Sequence, residues 1–159
     1  MKPGLGTQLR HLLELLDGAV QAAYVEAGID TRPRYTPVFL ALAEREPRTL
    51  GEIAAAAGIT QPAATQTIAL MVKDGLVSAK PSPGDARQRL VRLTKKGREL
   101  YPRLQACWAA TRLAADSLDQ DTPLPLSEAL AGAIAALQVQ PFDQRIAKAR
   151  ARLSKEPKK

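Results

Sequence analysis

Residues Leu50–Thr94 read LGEIAAAAGITQPAATQTIALMVKDGLVSAKPSPGDARQRLVRLT, and the capping residues and glycines divide the stretch into four elements. Thr49 stands three residues before Glu52, the spacing of a capping box, so a short helix opens at LGEIAAAA. Gly58 is placed to take the left-handed backbone that ends a helix and turns the chain. Thr60 caps the next helix, and Pro62 fits its first turn, where a missing N–H costs nothing. Ala64, Thr67, Ile68 and Met71 recur at helical spacing and point inward, leaving Gln61, Ala63, Thr65, Gln66 and Ala69 outward. Gly75 stops that helix. Leu76–Lys80 and Arg89–Leu93 are short strand patterns on either side of Pro81-Ser82-Pro83-Gly84-Asp85-Ala86, which is strong turn chemistry. Two helices joined by a glycine turn and followed by a basic hairpin form the pattern of a winged helix-turn-helix.

The flanks are helical. Apolar residues at 5, 9, 12, 13, 16, 19, 20, 23 and 24 make a stripe from Leu5 to about Ala27, and Leu15 and Val25 widen it beyond one packing face. Gly28 ends it, and Asp30–Pro33 leads into a second helix of about Tyr35–Arg45, with Val38, Phe39, Leu42 and Ala43 inward. Glu46-Pro47-Arg48 ends that helix. Downstream, Thr94 caps a long helix with Leu100, Leu104, Cys107, Trp108, Thr111, Ala115 and Leu118 on one face, and Pro102 predicts a mild kink or a later start. A polar loop, Asp119–Pro125, precedes a helix opened by Ser127 and Glu128, and a basic helical piece after Pro141 is expected to fray before Lys155. The expected fold class is mainly α with a small β-hairpin wing. The winged helix-turn-helix occupies 34–98, and a helical dimerisation region comprises 1–30 and 119–159 with the C-terminal part of 95–118. A three-helix winged domain cannot cover all the apolar surface of these flanks. A second copy is therefore expected to meet it through Leu9, Leu12, Leu13, Leu16, Leu130, Ile134, Leu137, Phe142 and Ile146.

The formal net charge of +7 is unevenly placed. Residues 61–98 carry eight Lys or Arg against two acids, and residues 145–159 carry seven against one, on an otherwise slightly acidic chain. Basic zones of this kind suggest a polyanionic partner. No apolar run approaches the length of a membrane span, and the leucine-rich start is broken by His11, Glu14 and Asp17, unlike a signal peptide. One cysteine, Cys107, excludes an internal disulfide and a thiolate zinc cluster and reads as a packed thiol. His11 and Glu14 share a helical face, but no second histidine exists to complete a transition-metal site. No nucleophile–base–acid set, phosphate loop or paired catalytic carboxylate occurs, so neither an enzyme nor a cofactor or metal is expected.

The order of elements resembles the MarR family of bacterial transcription regulators. The resemblance rests on TLGEIAAAAGITQPAATQTIALMVKDGLV for the DNA-binding helices, GDARQRLVRLT for the wing and KKGREL opening the helix behind it, over roughly Tyr35 to Leu104. Two departures stand out. Ala86 replaces the first of the family's two adjacent wing arginines, Arg87 keeping the second, and the outward face of Thr60–Lys73 has no arginine. The resemblance implies a cytoplasmic, nucleoid-associated homodimer with interleaved terminal helices. Its paired recognition helices would meet double-stranded DNA at a pseudo-palindromic operator with half-sites about 10 base pairs apart.

Gln61, Ala63, Thr65 and Gln66 are the candidates for base edges, since glutamine pairs bidentately with adenine and small methyls suit thymine; the core of the site should lean towards A·T. Pro62 lies in the same turn. Arg87 should enter a narrow minor groove, with Asp85 supporting the wing, while Lys80, Arg89 and Arg92 are phosphate candidates. Thr49 and Thr60 set helix N-termini near the backbone. As the resemblance implies, a small amphipathic or phenolic effector would bind between dimer helices and winged domain and relieve repression. His11, Tyr24, Arg34, Tyr35, Phe39 and Trp108 are the candidate lining. Two rival readings stand beside this one: a constitutive or architectural DNA binder, and a winged-helix protein-interaction module.

Overall fold

The computed structural model of the chain describes residues 3–83 and 85–154. Its elements are α1 (Leu5–Glu26), α2 (Thr36–Glu44), β1 (Arg48–Thr49), α3 (Leu50–Ala57), α4 (Gln61–Lys73), β2 (Val77–Ser82), β3 (Asp85–Leu93), α5 (Lys95–Gln120), α6 (Leu126–Val139) and α7 (Phe142–Leu153), with a 3-10 turn at Pro33–Tyr35 before α2. The chain forms two compact units, one ending at Thr111 and the other beginning at Arg112.

In the first unit the expected local signals operate. The Thr49 hydroxyl accepts from the Glu52 N–H at 3.2 Å while the Glu52 carboxylate accepts from the Thr49 N–H at 2.7 Å, completing the capping box of α3. Gly58 is left-handed (φ 64°), and the Ile59 N–H returns to the Ala54 carbonyl, which stops α3 and aims the chain at α4. The Thr60 hydroxyl then caps α4 by accepting from the Ala63 N–H at 3.4 Å.

Four local expectations need correction. Arg48–Thr49 is a strand, paired with β3 at Arg48↔Val91 and Thr49↔Leu90, so β3 is the centre of a three-stranded antiparallel sheet. Two residues carry no readable alternation, and only the partner strand defines them. The hairpin arms also extend further than 76–80 and 89–93. β2 continues to Ser82 and β3 starts at Asp85, Pro81 being tolerated because β2 is an edge strand. On α2, Ala41 rather than Ala43 is buried, because 38, 41 and 42 form the i, i+3, i+4 stripe facing α3 and α4. Finally, α5 does not start late at Pro102. Its first turn is fixed upstream, where the Thr94 hydroxyl accepts from the Gly97 N–H at 3.1 Å.

The core gathers Tyr24, Tyr35, Phe39, Leu42, Ile53, Met71, Leu76, Val91 and Leu104, all essentially without exposed surface. Three polar links join the long helices to it. The Trp108 indole N–H donates to the Tyr24 hydroxyl at 2.7 Å, the latter lies 3.2 Å from the Thr36 hydroxyl, and the Arg103 guanidinium donates to the Ala27 and Gly28 carbonyls that end α1. These bonds satisfy the polar ends of otherwise apolar rings. In the second unit α6 and α7 bury no residue, and the Asp119 carboxylate accepts from the Ser127 N–H at 3.1 Å and from its hydroxyl.

Gly97 marks the tightest junction. A Cβ there would lie 2.2 Å from the Leu76 carbonyl oxygen, and the neighbouring Thr94 N–H bonds that same carbonyl at 3.0 Å. Gly97→Ala should therefore lower unfolding stability by about 1–3 kcal/mol or more, because the obstacle is backbone and cannot rotate away. A denaturant midpoint equal to the wild type's would contradict this.

Candidate nucleic-acid interface

α4 has two distinct sides. Ala64, Thr67, Ile68 and Met71 are buried against the core, while Gln61, Pro62, Thr65, Gln66 and Ala69 are exposed and Ala63 is half-buried. The 13 residues give a rod roughly 20 Å long, suited to lie in a groove about 12 Å wide. The Thr65 hydroxyl donates to the Gln61 carbonyl at 2.9 Å. With that hydrogen committed, its methyl is the group left to offer, beside the Gln61 and Gln66 amides.

The two helix N-termini differ in what they can receive. At α3 the Glu52 carboxylate already occupies the terminus; the Thr49 backbone N–H and then its hydroxyl hold that carboxyl below its usual range, and Arg45 pairs with it at 2.7 Å. Thr49 therefore does not open an anion site, because a phosphate would meet a fixed negative charge. α4 has no acid in its first turn. Thr60 is thus the anion-receptive terminus of the pair.

In the wing, antiparallel register sorts the basic residues by face. Val77↔Leu93 and Ala79↔Val91 look into the core, and Pro81↔Arg89 continues that face beyond it. Ser78↔Arg92 and Lys80↔Leu90 lie on the opposite side. Lys80, Arg89 and Arg92 are all exposed, but Arg89 is separated by the sheet from Lys80 and Arg92. Asp85 and Arg87 lie in β3, and their side chains fall outside the described part of the structure.

The six candidate lining residues do not form one cleft. Tyr24, Tyr35 and Phe39 are core residues with no exposed surface, and half-buried Trp108 packs edge-on to Tyr101 and bonds Tyr24. His11 is exposed beside Glu14 and precedes Tyr24 by 13 positions of one continuous helix, roughly 20 Å away. Arg34 instead lines a cleft of about 370 Å³ with Asp17, Gln21, Asp30, Thr31 and Arg32, between α1 and the connector to α2. Thr31 is 94% buried there, and its hydroxyl has no hydrogen-bond partner among the described residues.

Sequence reasoning missed the contacts at the far end of α4. Asp74 caps that end, its carboxylate accepts from the Tyr35 hydroxyl at 2.7 Å, and the Lys96 ammonium donates to its carbonyl at 2.9 Å. The one available signal was an acid at a helix C-terminus, where the dipole disfavours it.

The fold and this surface define a winged helix-turn-helix protein. The model of the MarR family matches residues 29–88. An uncharacterized HTH-type transcriptional regulator of Staphylococcus aureus (strain Mu50) is 31% identical over 87 residues, covering 50% of this chain and 60% of that protein, so the chain spans less than two thirds of this relative. Among solved structures, the Mycobacterium tuberculosis regulator MosR in complex with DNA superposes with a TM-score of 0.63 at 21% identity, over 92% of this chain and 98% of the other. The transcriptional repressor CouR bound to a 23-mer DNA duplex gives 0.59 at 24% identity, over 85% and 92%. CouR from Rhodococcus jostii is also known bound to p-coumaroyl-CoA, with a TM-score of 0.54 at 22% identity over 86% and 92%. Residues 29–88 thus match the MarR family, and the proteins this chain is similar to here are transcriptional regulators.

The Tyr35 hydroxyl gives this surface a pH signature. Burial first, then its bond to the Asp74 carboxylate, pushes it from 10 up to about 12. Its folded value lies above its unfolded one, so its contribution is complete below pH 10 and is lost as pH rises towards 12. Thermal melts should fall more steeply over that interval in the wild type than in Tyr35→Phe; parallel curves would contradict the assignment.

Proposed function

We propose that the chain is a sequence-specific DNA-binding transcription regulator that works as a homodimer and is released from DNA by a small-molecule effector. The observation that carries the reading is the exposed α4 face of Gln61, Thr65 and Gln66, next to a helix terminus free of acids and a wing bearing exposed basic residues. DNA-bound relatives of the same fold support the placement of α4 in a major groove. On this reading the helix terminus at Thr60 receives a phosphate, Lys80, Arg89 and Arg92 neutralise others, and Gln61 and Gln66 read bases. The phosphate contact expected at the α3 terminus is not used on this reading, and Thr49 serves to cap its helix. Asp85 and Arg87 keep their proposed wing roles.

The dimer is supported by uncovered apolar surface. Leu9, Leu13 and Leu16 on α1 are exposed, as are Leu130, Ile134 and Leu137 on α6 and Phe142 and Ile146 on α7, more than a solitary soluble chain usually leaves open. A second copy of the chain is the occupant proposed for both faces. Effector control is supported by the cleft beside Arg34, where the Arg32 and Arg34 guanidinium groups offer polar contacts to a small ligand.

Two experiments test this. Anisotropy titrations on a set of singly substituted operator duplexes should show Gln66→Ala losing discrimination of about 1–3 kcal/mol at one base pair per half-site, with the other positions unchanged. An unaltered preference profile would remove Gln66 from base reading. Sedimentation should give a dimer that Leu16→Asp with Ile134→Asp converts to monomer; a monomeric wild type would end the dimer reading.

A further inference from the structure

The end of α4 is tied to α1, one of the helices that carry an uncovered apolar face, and to α5. Asp74 is a carboxylate at a helix C-terminus, where the partial negative charge of the last carbonyls disfavours it, so its presence calls for a compensating contact. That contact is the Tyr35 hydroxyl at 2.7 Å, reaching across 39 positions of sequence. Tyr35 closes the 3-10 turn Pro33–Tyr35, which directly follows the cleft-lining residues Asp30–Arg32, and its N–H bonds the Arg32 carbonyl at 3.0 Å. Its chain neighbour Thr36 meets the Tyr24 hydroxyl of α1, which receives the Trp108 N–H of α5. Polar links therefore run from α5 and α1 through residues 35–36 to the last turn of α4. The ring of Tyr35 is fully buried, so it cannot swing aside without opening the core.

We propose that the Tyr35–Asp74 hydrogen bond is the positioning contact of the recognition helix: it sets the orientation of α4 against α1 and the connector, and so the spacing at which two copies present their recognition helices. Tyr35 and Asp74 touch no DNA in this scheme. This rests on the DNA-binding dimer proposed above and adds the element through which its geometry is fixed.

The test is selection of preferred half-site spacing from a duplex library, with affinity measured across a salt series, for the wild-type chain, Tyr35→Phe, Asp74→Ala and Asp74→Asn. The wild type should select one spacing. Tyr35→Phe and Asp74→Ala should each bind that duplex roughly five- to tenfold more weakly, accept spacings one base pair either side, and keep the wild-type salt slope, since no phosphate contact is lost. Asp74→Asn retains an acceptor for the Tyr35 hydroxyl and should behave as wild type, and the double variant Tyr35→Phe with Asp74→Ala should be no worse than either single one. Asp74 is only half-buried, so Asp74→Ala leaves the core intact if Tyr35→Phe fails to fold. Unchanged spacing and affinity in folded Asp74→Ala would overturn the proposal alone. No binding by the wild type to any duplex would overturn the DNA-binding reading itself.

Discussion

The backbone contact between α5 and the Gly75–Leu76 turn is the constraint on which the winged unit depends. The Leu76 carbonyl receives the Thr94 N–H, the Thr94 hydroxyl lies 2.7 Å from the Gly75 carbonyl, and only a glycine at 97 lets the first turn of α5 come this close. Three elements begin or end at that point: α4, β2 and α5. The recognition helix and the wing therefore share an anchor. The Glu46 carboxylate tightens it from the other side, accepting from the Leu93 N–H at 2.7 Å and pairing with Arg98 at 2.5 Å. These charge-assisted bonds, one to the strand and one to the helix after it, hold the two together through a single carboxylate.

From this anchor the electrostatics of the interface follow. α3 neutralises its own N-terminus with Glu52, and α4 leaves its terminus to whatever anion approaches. The contrast gives the helix-turn-helix a direction: one helix supports and the other faces outward. Register then divides the wing, putting Lys80 and Arg92 on one side and Arg89 on the other, so these residues cannot all serve one phosphate track. On the proposed DNA-binding reading, with no arginine on α4, base discrimination would fall to the Gln61 and Gln66 amides and to small methyls, and affinity would depend on the wing and the helix terminus.

Much of this was legible in the sequence because it is encoded locally. The capping box at Thr49–Glu52, the left-handed Gly58, the Thr60 cap and the inward set Ala64, Thr67, Ile68 and Met71 depend on residues within a turn of one another, and all stand as read. What escaped depends on distant partners. Strand β1 exists because Arg48 and Thr49 meet Val91 and Leu90, and the Tyr35–Asp74 bond spans 39 positions. The aromatic residues taken for a ligand cleft illustrate the same limit. Tyr24, Tyr35, Phe39 and Trp108 announce a cluster but not its solvent access, and burial put three of the four in the core. The cleft beside Arg34 is instead made of polar residues of α1 and the connector, and of the six candidates only Arg34 lines it.

Whether this unit holds a DNA-reading helix is decided by the salt dependence of its binding. A plot of log affinity against log salt for a duplex carrying its operator should fall linearly with a slope of about −5 to −9, the signature of roughly six to ten phosphates neutralised by a dimer. Binding that is absent, or indifferent to salt, would contradict the account.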